Sequence, residues 1–295
     1  MKNCVSWLDR HLEANHMNIL TSLSELRANL KYMSGSLGLV PTMGSLHEGH
    51  LSLVKAARMQ NDNVAVSIFV NPIQFGPEED LDIYPRNHDN DLDILQSEKV
   101  DIVWIPDVKE MYPDGYQTYV TVEKLNRYLE GARRPGHMRG VATIVTKLLI
   151  AFAPDRLYLG QKDAQQSCII KRLVADLGFA IDVLICPTVR DIDGLALSSR
   201  NSRLNPDERK AAIVLYKSLS EAQTAFANGE TDASRLRTLI TDVIRIEKFA
   251  KLLYVSVSDI NSLKELHYVS DRALCSIAVK IGSVVLIDNI VLEDS

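Results

Sequence analysis

Apolar positions along the chain fall into two rhythms. Short continuous runs stand at 37–41, 63–70 (NVAVSIFV), 101–106 (DIVWIP), 157–160 and 181–185. They have strand length and no polar face, as parallel strands covered on both sides must. Between them apolar residues return every three or four positions. Leu23, Leu26 and Leu30 mark the inner face of a helix over 21–33, and Leu51, Leu53, Val54 and Ala57 that of a second. Further helices are predicted at 88–98, 141–153 and 164–177, the last stopped by Gly178. This alternation predicts an α/β fold, a Rossmann-like doubly wound parallel sheet. The segments 80–86 and 130–140 read as loops, and 118–123 as a short extra strand at a subunit contact.

After 188 the rhythm changes. A polar loop (DIDGLALSSRN) precedes two amphipathic helices over 206–228 and 233–249, with Asn205 and Thr231 as caps. Short strands follow at 252–257, 273–279 and 284–287. Helices first and strands after predict a smaller C-terminal α+β domain. The boundary falls near Val189, giving a domain over 17–188 and another over 189–295.

The chemistry gathers where predicted strands end. Pro41-Thr42-Met43-Gly44-Ser45-Leu46-His47-Glu48-Gly49-His50 joins the 37–41 strand to a helix. His47 and His50, three apart, share a face if both lie on its first turn. Free N–H groups and the positive helix end favour an anion there. With two imidazoles added, the stretch reads as a site for nucleotide phosphates. Zinc fits less well, because no third ligand stands nearby at a recognisable spacing. Asn71-Pro72-Ile73-Gln74-Phe75-Gly76 follows the next strand, and Gln161-Lys162-Asp163 follows Gly160. Ligands of open α/β sheets bind at such ends.

Composition narrows the partners. A net charge of −5 over 295 residues argues against a nucleic-acid surface. No apolar run reaches the roughly 18 residues a membrane helix needs. The four cysteines are scattered without a CxxC, which suggests neither a zinc knuckle nor a disulfide framework and fits a reducing, cytoplasmic setting.

Five blocks in order carry a family resemblance: PTMGSLHEGHLSLV from Pro41, FVNPIQF at 69–75, EGARRPGHMRGV at 130–141, GQKDAQQ at 160–166 and DGLALSSRNSRL at 193–204. Together they resemble the pantoate–β-alanine ligases of the HxGH nucleotidylyltransferase superfamily. HxGH alone indicates only the superfamily, so the alternative is another nucleotidylyltransferase acting on a phosphate or alcohol. The resemblance begins near Met17. Residues 1–16 match nothing in it and are read as an extension that is not native, with Met17 as the alternative start.

The resemblance implies a two-step reaction through a pantoyl adenylate, with ATP as co-substrate, magnesium accompanying it, and a homodimer. It implies no protein metal ligand and no protein nucleophile. It assigns His50 as proton donor and, with His47, Lys162, Ser198, Ser199 and Arg200, the charge stabilisation on the phosphates. The Ser198–Arg200 run is similar to the mobile phosphate loops of adenylate-forming enzymes, so the second domain reads as a lid. The ATP site would take in Met43 through His50 (with Gly44, Ser45, Leu46, Glu48 and Gly49), Gly160, Gln161, Lys162 and Asp163. It would also include Val189, by backbone contact to adenine, and Leu197. Gln74 and Gln166 are the pantoate candidates, Gln74 also for β-alanine. Asn71 is a second-rank candidate for β-alanine or for loop geometry. Gln161 stands where this family usually has Glu, which leaves any role of that charge in doubt.

Overall fold

The computed structural model describes residues 17–76 and 81–293. The 1–16 extension and the first residue of the 80–86 loop lie outside them.

Six strands form one parallel sheet: β1 (Asn18–Leu20), β2 (Leu37–Thr42), β3 (Asn63–Ile68), β4 (Ile102–Trp104), β5 (Arg156–Gly160) and β6 (Asp182–Cys186). Their order is β1-β4-β3-β2-β5-β6, so the sheet is doubly wound with its switch between β2 and β5. The helices of this part are α1 (Leu23–Leu30), α2 (Glu48–Gln60), α3 (His88–Ser97), α4 (Val108–Met111), α5 (Leu129–Arg133), α6 (His137–Phe152) and α7 (Ala164–Leu177). Leu26 of α1 packs with α6 and α7 on one face, and Leu53, Val54 and Ala57 of α2 with Leu95 of α3 on the other. Val64, Ala65 and Val66 of β3 are fully buried between these layers.

The crevice at the switch has a cause in the sequence. β2 pairs with β3 along six positions but with β5 at only two, Gly38↔Arg156 and Leu39↔Leu157. The carbonyl of Leu37 accepts from the Asp155 amide at 2.9 Å, so odd-numbered residues of β2 face β5. Pro41 belongs to that series and has no N–H to continue the ladder. The carboxyl ends of β2 and β5 therefore part where a ligand pocket is wanted.

The second part begins with the short helix α8 (Pro206–Ala211), then α9 (Val214–Ala227) and α10 (Ala233–Arg245). They cover one face of an antiparallel sheet, β7 (Ala250–Ser258), β8 (Arg272–Ile281) and β9 (Val284–Glu293), with β8 central. Leu274 of β8 packs instead into the first core, so the two sheets are joined through apolar contact.

Several expectations are corrected. The 118–123 segment forms no strand; its Val120 amide donates to Thr143 Oγ1 at 3.0 Å. The 130–140 loop is mostly helical, as α5 and the first turn of α6. The 206–228 helix is broken at 212–213. Asn205 caps α8 with Glu208 in a capping box, but Asp232, not Thr231, caps α10.

Candidate active site

The turn after β2 is built around its two histidines. His47 is extended (φ −144°, ψ 172°) and is the N-cap of α2. Its Nδ1 accepts the Gly49 amide at 3.1 Å, and the His50 Nδ1 accepts the His47 amide at 3.4 Å. The pair is a capping box in which imidazoles replace the usual hydroxyl and carboxylate. Since each Nδ1 accepts an N–H, the proton of each neutral ring sits on Nε2. A Cβ at Gly49 would lie 2.9 Å from the His47 ring, so glycine is what lets the ring close over the backbone. The HxGH spacing thus makes one helix cap and two oriented N–H donors.

The backbone amides expected to receive an anion have partners already. The Gly44 amide donates to Thr42 Oγ1, and the Ser45 and Leu46 amides donate to the Asp91 carboxylate at 2.8 Å each. Asp91, on α3, is fully buried. Its carboxylate takes up two successive amides and so shapes the turn. Nothing local in the sequence pointed to it.

Burial, and next the Lys162 ammonium, hold the His47 ring down at about 4. Burial, then His47 and Lys162, hold His50 at about 3. Both rings are therefore neutral at pH 7. The sign follows from linkage: the unfolded chain takes up protons below the usual 6.5 while the native rings do not, so their contribution to stability shrinks as pH falls below 6.5. In the ligand-free protein we expect ring ¹⁵N spectra to show neutral Nε2–H tautomers for both at pH 5.5. An imidazolium pattern there would disprove the assignment.

One cavity of about 510 Å³ opens at the parted strand ends, a size usual for small-molecule sites. His47, His50, Lys162, Gln74 and Gln166 all line it. Ser198, Ser199 and Arg200 close it from the second sheet's side, with Met43, Gly49, Gly160, Asp163, Val189 and Leu197 also on its wall. Gly44, Ser45, Leu46, Glu48 and Gln161 are not on the wall; they shape the turns behind it. Ser199 Oγ donates to the Ser45 carbonyl at 3.2 Å, which links the Ser199–Arg203 turn to the histidine turn.

The two glutamines are positioned differently. In GQKDAQQ, Gln165 and Gln166 both line the cavity, but the Gln165 side chain is buried and taken up by the carbonyls of Leu125 and Tyr128 and the Gly131 amide. Gln74 Oε1 accepts from Asn71 Nδ2 at 3.0 Å, which turns its Nε2 toward Met43 and the cavity. Asn71 is itself fixed: its Nδ2 also donates to the Gly140 carbonyl, and its Oδ1 accepts from the Tyr112 hydroxyl at 2.8 Å. Burial pushes the Tyr112 hydroxyl well above its ordinary range, so it remains a donor. A Cβ at Gly140 would lie 2.6 Å from the Gln74 Cα, which explains glycine at this close crossing of α6. Asn71 is 1% exposed and bonded at both ends of its amide, which holds the loop, and it also lines the cavity. Tyr112 was missed from sequence.

Comparison with known proteins bears on this geometry. The pantoate-beta-alanine ligase family profile matches residues 18–291. The pantothenate synthetase of Roseiflexus sp. (strain RS-1) is 53% identical over 94% of this chain and 100% of its own. That of Acetivibrio thermocellus is 51% identical over the same shares. The crystal structure of pantothenate synthetase from Thermus thermophilus superposes with a TM-score of 0.90 at 42% identity, covering 93% of this chain and 99% of that one. A Francisella tularensis pantoate-beta-alanine ligase, solved in complex with beta-gamma ATP and beta-alanine, gives 0.77 at 36% identity, covering 93% and 97%. With a profile match over nearly its whole length and relatives at half identity, the chain belongs to the pantoate–β-alanine ligase family.

Proposed function

We propose that the cavity holds ATP and pantoate side by side, and that the reaction needs no protein nucleophile because the substrates react with each other. The enzyme is an ATP-dependent ligase that joins pantoate to β-alanine, giving pantothenate, AMP and pyrophosphate. The observation that supports the residue assignment is the reciprocal histidine cap: two neutral Nε2–H donors share one cavity wall with Lys162, Gln74 and Gln166.

In the first step a pantoate carboxylate oxygen bonds to the α-phosphorus as the bond to the bridging oxygen breaks. Pyrophosphate leaves with the electron pair. His47 and His50 donate to the phosphate oxygens as that charge develops, and Lys162 neutralises it. In the ligand-free protein both histidines are neutral hydrogen-bond donors, and we read His50 as stabilising the developing charge more than transferring a proton. Ser198, Ser199 and Arg200 serve the same triphosphate. In the second step the β-alanine amine attacks the acyl carbon, loses a proton and expels AMP. Gln74, presenting Nε2–H, and Gln166 orient pantoate for both steps.

Magnesium would enter with the nucleotide, held by phosphates and waters, and would supply further neutralisation of the leaving pyrophosphate. Among the described residues no group of three or more His, Cys, Asp or Glu is placed to hold a metal ion. We keep the division into 17–188 and 189–295, with the second part as lid. We place the enzyme in the cytoplasm, since Cys168, Cys186 and Cys275 are unpaired. A homodimer is proposed from the family membership, with the 118–123 segment and its exposed Tyr119 at the contact; light scattering reads the mass directly.

Product analysis tests the reaction. AMP and pantothenate should form only with ATP, magnesium, pantoate and β-alanine all present. AMP retained on the product would instead mark a nucleotidylyltransferase of the same superfamily. A second test addresses Gln74. Tyr112→Phe removes one hydrogen bond, about 1 kcal/mol, and frees the Asn71–Gln74 pair to turn. Steady-state kinetics should show the pantoate KM rising about fivefold with the ATP KM unmoved; equal rises in both would remove Tyr112 from this role.

A further inference from the structure

Two consecutive residues of β9, Asp288 and Asn289, touch both loops that bring charge into the cavity. Asn289 is 4% exposed. Its Nδ2 donates to the carbonyls of Gln161 and Lys162, at 3.0 and 2.9 Å. Its Oδ1 accepts from Gln161 Nε2 at 2.9 Å. The amide is thus bonded on both ends, and both bonded ends lie on the short Gln161–Asp163 turn that carries Lys162. Two carbonyls facing one donor fix the plane of successive peptides, and with it the direction in which the Lys162 side chain leaves the turn.

Asp288, 2% exposed, faces the opposite way along the strand. It accepts both Arg190 guanidinium nitrogens, at 2.6 and 2.9 Å, a two-pronged pair of high directionality. Arg190 also donates to the Gly194 carbonyl at 3.1 Å and lies over the Tyr216 ring. Arg190 and Ala196 form an isolated antiparallel bridge, and the Leu197 amide bonds the Val189 carbonyl. The hairpin so held delivers Ser198, Ser199 and Arg200 to the cavity.

We infer that Asn289 is a positioning residue for Lys162, and that the Asp288–Asn289 step of β9 sets Lys162 in register with the Ser198–Arg200 loop. The inference rests on the reading of Lys162 as the cation for the triphosphate. It also accounts for Gln161: an amide there supplies the N–H that Asn289 Oδ1 accepts, which a carboxylate lacks, so in this chain the side chain at 161 serves the turn.

A double-mutant cycle on single-turnover pyrophosphate release, with steady-state KM values alongside, tests it. Asn289→Asp keeps size but sets oxygen against the two carbonyls. We expect adenylate formation to fall ten- to hundredfold and the ATP KM to rise, with the pantoate KM within twofold of wild type. On a Lys162→Ala background the same substitution should cost less than twofold, because the group it positions is gone. Losses that multiply across the two backgrounds, or an Asn289→Asp enzyme within twofold of wild type, overturn the inference. If circular dichroism shows that variant unfolded, Gln161→Met takes its place: a three- to tenfold loss that vanishes with Lys162→Ala supports the inference, and any other pattern overturns it. Wild-type activity in Lys162→Ala alone would instead sink the reading of the site, and this inference with it.

Discussion

Replacing Lys162 with alanine is expected to slow adenylate formation about 10³-fold, a loss of about 4 kcal/mol of transition-state stabilisation. The size follows from where the ammonium sits. It lies half-buried on the cavity wall, with Asp163 Oδ1 3.9 Å away, too far for a tight pair to neutralise it. Its charge is therefore available to the phosphates in a poorly hydrated site. Lys162→Arg keeps the charge but enlarges the head on a turn whose peptides are fixed, so we expect most of the loss to remain. The second half-reaction separates this effect from a general defect. Supplied with pantoyl adenylate, Lys162→Ala should form pantothenate within about tenfold of the wild-type rate, since pyrophosphate has already gone. The variant should also raise the titration of His47 and His50 toward 6.5, because the Lys162 charge helps to depress both. Equal losses in both half-reactions would remove Lys162 from the triphosphate.

Much of this arrangement was legible in the chain, and the reason is physical. Strands buried on both faces must be apolar throughout, so 63–70 and 157–160 announced themselves, and chemical residues just beyond their ends fell at the mouth of the sheet. β1 escaped because three residues carry no rhythm. The 118–123 segment had the residues of a strand but no neighbour to bond, and secondary structure of that kind is decided by tertiary context. Thr231 and Asp232 are both competent caps; the Asp232 carboxylate takes the Ser234 and Arg235 amides, and adjacent candidates of that sort cannot be ranked from sequence. The supports of the site were the least legible part. Asp91 acts 45 residues from Leu46, and Asn289 acts 128 from Gln161, so no local pattern reveals either. Reactive groups sit in motif loops, whereas the groups that aim them come from wherever the fold brings a strand or helix alongside.

His50 joins the two kinds of group in one residue, and its substitutions should separate them. His50→Ala removes the Nε2–H donor proposed for the phosphates and also the Nδ1 that accepts the His47 amide. The expected result is a fall in adenylate formation of about 10²- to 10³-fold, together with about 1 kcal/mol of lost stability. The stability loss arises because the His47 amide, at the start of α2, is left without its partner. Glutamate is a residue a capping box prefers at this position, and its carboxylate reaches back to the same amide. His50→Glu should therefore recover the unfolding midpoint in urea while activity stays at or below that of His50→Ala, since a carboxylate caps the amide but has no N–H to donate. His47 tests the same logic from the other side. As the N-cap it should tolerate His47→Asn in stability, because asparagine caps well, while adenylate formation falls. Recovery of activity together with stability in either variant would mean that the histidines matter only as caps, and that phosphate charge is met elsewhere in the cavity.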